Sequence, residues 1–148
     1  MTPKEIETLC DEYPHMSREA QLALVDRIRA LPDEELRFLI LPGHKWYWWG
    51  AAEIIQQLGP ARIECMLPHL LVWLQDVNWP GTENILQVLS AVDKAVLMPS
   101  IEETLLLAAQ NGDGMWIGGI SLLLERANIQ KEDFSSPDIY DLLALSDL

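Results

Sequence analysis

Trp79-Pro80-Gly81-Thr82-Glu83-Asn84-Ile85-Leu86 is one of three copies of the pattern W-x-G-x-x-x-Φ-Φ, where Φ is aliphatic. The copy before it is Trp48-Trp49-Gly50 with Ile54-Ile55; the copy after it is Trp116-Ile117-Gly118 with Leu122-Leu123. The copies begin 31 and then 37 residues apart. A second mark keeps the same rhythm: Pro68, Pro99 and Pro137, followed two residues later by Leu70, Ile101 and Ile139. Periods of this size belong to stacked supersecondary units, none of which buries its apolar face alone. Prolines and glycines cut the chain into helix-sized pieces, and no stretch alternates β-branched residues with period two. The expected fold is therefore all-α: an α-solenoid of three helical hairpins over residues 45–148, with an N-terminal helical cap over residues 1–44, in a single domain.

Local signals place the elements. Thr2-Pro3-Lys4-Glu5 has the T-x-x-E form of a capping box with proline at the first helical position, so a helix runs to about Tyr13 and ends at Pro14. Ser17 caps a second helix, in which Leu24, Val25, Ile28 and Leu31 share a face. Pro32-Asp33-Glu34-Glu35 opens a third, with acids at the positive end of the helix dipole, and Pro42-Gly43 closes it. In the repeats, first helices are predicted near 47–58, 79–92 and 115–127, and second helices near 67–76, 98–110 and 137–146. The longer second interval falls in Gln110-Asn111-Gly112-Asp113-Gly114, a loop by its turn chemistry. Each shared glycine is expected where a neighbouring helix approaches closely.

A chain of 148 residues can bury roughly 70% of its unfolded surface, enough for a core without metal or disulfide. Its 23 acidic and 10 basic residues leave a net charge of −13, spread along the sequence as a field. Cys10 and Cys65 have no C-x-x-C spacing, the N-terminus has no apolar leader, and no apolar run reaches a membrane span. The expectation is a reduced, cytoplasmic protein without membrane contact.

Around the middle repeat the residues Trp73-Leu74-Gln75-Asp76-Val77-Asn78-Trp79-Pro80 resemble the hallmark W-L-Q-D-x-N-W-P of a mainly bacterial family catalogued as domain of unknown function 5071. The resemblance covers residues 45–127, more loosely beyond. It implies HEAT-like helical repeats and protein binding, and it brings no catalytic residues. Members usually carry an aromatic-rich stretch in the later repeat; here Trp116-Ile117-Gly118-Gly119 stands there, and the aromatics cluster earlier, at Lys45-Trp46-Tyr47-Trp48-Trp49.

Catalysis has no visible home. Gly119-Ile120-Ser121 lacks the second glycine of a nucleophile elbow. Cys65 and His69 are interrupted by Pro68 and, even with His44, lack a fourth metal ligand. Adjacent acids such as Glu34-Glu35 and Glu102-Glu103 point about 100° apart on a helix and cannot act as a couple. Gln75, Asp76 and Asn78 read as helix-end caps. No cofactor is expected.

The aromatic run is different. If Trp48 faces the core, Trp46 and Trp49 lean toward the side carrying Glu53, Gln56 and Gln57, and exposed tryptophans tend to anchor interfaces. Trp73 raises the same question, because its counterpart in the next repeat is Thr104, while Val72 matches Glu103. The candidate partner-binding residues are thus Trp46, Trp49, Glu53, Gln57, Trp73, Glu102 and Glu103. The expected function is a non-catalytic protein-interaction module whose acidic field suits a basic partner, as an immunity protein neutralises a nuclease toxin. The alternatives are an enzyme on a HEAT-like scaffold and a homodimeric structural unit. Nucleic acid is disfavoured, since Glu102, Glu103, Asp138 and Asp141 stand where a phosphate-binding face needs Lys and Arg.

Overall fold

Thr2 accepts the Glu5 N–H at 3.1 Å and opens α1 (Pro3–Glu12), as its sequence predicts. A 3₁₀ turn over Tyr13–His15, carrying Pro14, ends it. The computed structural model describes residues 1–148, which are helical with no strand. Ser17 accepts the Ala20 N–H to start α2 (Arg18–Arg29), whose Leu24, Val25 and Ile28 are buried. The third cap helix is shorter than predicted. α3 (Asp33–Leu36) is one turn, continued by a 3₁₀ turn over Arg37–Leu39.

The repeat region contains α4 (Lys45–Leu58), α5 (Leu67–Leu71), α6 (Thr82–Ser90), α7 (Lys94–Gln110), α8 (Gly114–Arg126) and α9 (Pro137–Asp141). α5 and α9 continue as 3₁₀ turns, Val72–Gln75 and Leu142–Leu145. The six predicted repeat helices are thus all present, and the loop between α7 and α8 lies where the insertion was placed. Two boundaries differ. Trp79 precedes α6 instead of starting it, because Pro80 disfavours helical backbone at the residue before it. Gly81 follows with φ +85°, as the N-cap of α6. Pro99 lies inside α7, not at its start. The turn ahead of each marker proline is 3₁₀ elsewhere, at Arg62–Met66 and Lys131–Asp133. In the middle repeat it is α-helical, because the Asp93 carboxylate accepts the Ala95 N–H at 3.1 Å and caps it.

α1, α4, α6 and α8 pack in succession, and α5, α7 and α9 form a second succession behind them. One apolar cluster of 37 buried residues reaches from Ile6 to Phe134, so cap and repeats share a core. Polar side chains bridge successive helices at the surface. Arg18 Nη2 donates to Gln57 Oε1 at 3.3 Å, Asn84 Nδ2 to Gln56 Oε1 at 2.7 Å, and Arg126 pairs with both Glu83 oxygens at 2.7 and 3.1 Å.

The glycines divide by role. An added Cβ at Gly50 would stand 1.9 Å from the Cys10 carbonyl oxygen of α1, and one at Gly119 would stand 2.0 Å from that of Leu74. Backbone contact at both positions excludes any side chain. The close helix approach expected at Gly50, Gly81 and Gly118 holds at Gly50 and at Gly81, where a left-handed φ is combined with contact to α4: an added Cβ would stand 2.5 Å from Ala52 Cβ and 3.0 Å from the Trp48 carbonyl oxygen. On α8 the expectation is corrected by one residue: Gly118 faces the Leu148 side chain, and its neighbour Gly119 makes the backbone contact.

Candidate partner-binding face

The aromatic run begins α4, and helical spacing distributes its members. Trp48 turns inward, where its ring meets Trp73 and Trp79 edge-on at 6.1 and 5.3 Å. Its indole N–H donates to the Pro42 carbonyl at 2.6 Å. Gly50 seats α4 on α1, and Ala51, Ala52, Ile54 and Ile55 are buried. With Trp48 and Gly50 fixed inward, Trp46 and Trp49 point to solvent, 65% and 62% exposed. His44 lies flat on Trp46, ring centroids 4.3 Å apart and planes 6° from parallel.

Trp46, Trp49, Glu53 and Gln57 follow at i, i+3, i+7 and i+11, so they form one strip along α4. Glu53 is half-buried, and its carboxylate reaches the field of Tyr13. Burial lifts that phenol above its ordinary pKa, Arg18 opposes, and Glu53 adds to the rise. Gln57 is exposed but tethered: its side chain accepts from Arg18, and its carbonyl accepts from Arg29 at 3.1 Å.

The other candidates do not join this strip. Trp73 is 0% exposed, contrary to the expectation that it faces a partner. It fills the core beside Trp48, and its indole N–H donates to the Pro80 carbonyl at 3.0 Å, closing the family hallmark on itself. Thr104, the counterpart of Trp73 in the sequence pattern, is buried as well: the position is buried whether or not it carries an aromatic. Glu102 and Glu103 belong to α7, in the other succession of helices. Glu102 is held within the chain, its two oxygens accepting from Ser135 N–H and Oγ–H at 2.6 and 2.8 Å. Glu103 is exposed, and Val72 half-buried.

Within the hallmark, Asp76 accepts the Asn78 N–H at 2.8 Å in an Asx turn, and Thr82 donates to the Trp79 carbonyl at 2.8 Å. These contacts shape the turn between the 3₁₀ segment Val72–Gln75 and α6. Of the two cysteines, Cys10 is buried and its thiol is pushed up to about 12 by burial, with Glu7 adding to the effect. Burial also raises the Cys65 thiol. No cluster of three His, Cys, Asp or Glu side chains forms a metal site. Sequence reasoning missed three exposed apolar side chains of α7, Val96, Leu106 and Leu107. For the two leucines the signal was the run Leu105-Leu106-Leu107-Ala108-Ala109, too apolar for one helix face to bury.

The structure is therefore that of an all-helical protein whose helices pack in two successions and whose first-helix side carries two exposed tryptophans. The family described as Domain of unknown function (DUF5071) matches residues 40–142, from just after the 3₁₀ turn Arg37–Leu39 through α9. The chain belongs to this family. No curated protein and no solved structure matches it. No helix is long and apolar enough to cross a membrane.

Proposed function

We propose that this chain is a non-catalytic protein-interaction module of the HEAT-like type: a solenoid of three hairpins behind an N-terminal cap. It takes a protein partner on the exposed strip of α4. The observation that carries this reading is the pair Trp46 and Trp49. Each leaves most of a large apolar side chain in water, on the side of α4 away from the buried Gly50, Ala51, Ala52, Ile54 and Ile55. Solvent exposure of that size is costly to keep unless a partner covers it, and desolvated tryptophans are frequent hot spots of binding. The net charge of −13 favours a basic partner, in the manner of an immunity protein, through an on-rate that falls as salt screens the field. The module works in the cytoplasm, without cofactor or nucleic acid.

The test is a double substitution, Trp46→Ala with Trp49→Ala, compared with the native chain in affinity capture from the native cell. The captured partner should be lost and the thermal midpoint should stay within a degree or two, as for surface changes of under about 0.5 kcal/mol. Unfolding of the variant would place both tryptophans in the core and end this reading. A native mass of twice the chain that reverts to monomer in the double variant would make the strip a homodimer seam instead.

A further inference from the structure

The α4 strip combines three features that together select a chemistry. First, Trp46 and Trp49 stand at i and i+3, with Cβ atoms about 5–6 Å apart on one face of the helix. One face of Trp46 is covered by His44, and Tyr47 meets its ring edge-on at 5.7 Å, which holds the indole in place. The rest of Trp46 and most of Trp49 remain open. Second, a carboxylate lies one turn beyond: Glu53, which forms no ion pair, the nearby Arg18 being engaged by the Gln57 side chain. None of the five ion pairs of the chain involves a residue of α1 or α4. Third, α1 runs beside α4 and carries Glu5, Glu7, Asp11 and Glu12 against the single Lys4. The Glu7 carboxylate lies beside Gly43, three residues ahead of Trp46.

Open indole faces next to unpaired carboxylates attract a cation that is planar and weakly hydrated. A guanidinium fits both demands, stacking on the ring and sharing its N–H donors with a carboxylate, whereas an ammonium is compact and strongly hydrated. The cation–π contact is already in use next door, where Lys45 Nζ lies 5.9 Å from the Trp48 ring centroid. Resting on the reading that this strip binds a protein, we propose that it is a receptor for an arginine side chain of the partner. The guanidinium lies against Trp46 and Trp49, and Glu53 supplies the counter-charge.

Three peptides of equal length test this, alternating glycine with arginine, with lysine, or with citrulline, the last planar but uncharged. Each is titrated into the full chain while the indole N–H resonances of all six tryptophans are followed. The arginine peptide should move Trp46 and Trp49 and leave the buried Trp73 and Trp116 in place. Citrulline should move none of them, and lysine should bind about two- to fivefold more weakly than arginine, the scale of one exposed cation–π contact. Trp49→Ala and Glu53→Gln should each weaken the arginine peptide by at least that factor, with unchanged circular dichroism confirming the fold. Equal binding of the arginine and lysine peptides, insensitive to Glu53→Gln, would reduce the effect to the diffuse field and overturn the proposal. So would shifts with citrulline equal to those with arginine, or no shift at Trp46 and Trp49 at all. If the peptides fail while the double tryptophan variant still loses its captured partner, the strip is an interface of another chemistry. If that capture is also unaffected, the interaction reading falls with it.

Discussion

At the scale of single residues, the tryptophans separate into those that build the fold and those that do not. Trp73, fully buried and hydrogen-bonded to Pro80, has the most to lose. Trp73→Ala should cost about 3–5 kcal/mol, the range for truncating a buried large aromatic, and chemical denaturation should read it directly. Trp79 touches the same cluster but is half-buried and outside the helix, so Trp79→Ala should cost distinctly less. The reverse order would mean that the hallmark's second tryptophan carries the junction. Cysteine accessibility gives an independent check at this scale. Cys10 is 1% exposed with its thiol raised to about 12, whereas Cys65 is partly open. In the native protein a thiol reagent near pH 8 should label Cys65 first and reach Cys10 only on unfolding. Rapid labelling of Cys10 would show that α1 detaches from α4.

Between elements, the decisive contacts are those where a glycine lets one helix rest on another's carbonyl. Gly50→Ala would drive a methyl into the Cys10 carbonyl, and Gly119→Ala into that of Leu74. Backbone cannot retreat as a flexible side chain can, so each should destabilise by about 1–3 kcal/mol or more. Gly118→Ala meets Cβ, Cγ and Cδ1 of Leu148, an exposed residue at the end of the chain that can move aside as a whole, and should cost less in the same denaturation assay. Comparable losses at 118 and 119 would contradict the register of α8. The repeat pattern made 50 and 118 look equivalent because it aligns residue types. Which glycine touches a neighbour depends on the rotation of α8 about its axis, and a shift of one residue turns a helix by about 100°.

Across the whole molecule, ion pairs join segments far apart in sequence. Arg62 lowers the pKa of Asp33, Arg126 does the same for Glu83, and for Asp133 the Gln130 N–H leads with Lys94 helping. A carboxylate whose folded pKa is lowered stabilises the fold above its unfolded pKa, near 4, and that contribution fades as pH falls through the folded value. The urea midpoint should therefore decline below about pH 4. Glu83→Gln should flatten part of that decline while changing little at pH 7, because exposed pairs contribute weakly. A midpoint that keeps rising toward pH 2 would mean that relief of the net charge of −13 outweighs these pairs.

What the residues determined alone is the chain's local punctuation. Thr2, Ser17, Pro14 and the Asn111–Asp113 loop act through their own backbone geometry and nearest hydrogen bonds, so their effects are visible without knowing what lies across the core. The exposure of Trp46 and Trp49 was legible for a similar reason: once Trp48 and Gly50 point inward, helical periodicity sends them outward. The burial of Trp73, the capture of Glu102 by Ser135 and the exposed leucines of α7 were not legible. Each depends on contacts between segments about 25 to 33 residues apart in sequence or on the absence of such contacts. Only the packing of one helix succession against the other decides which apolar side chains are covered.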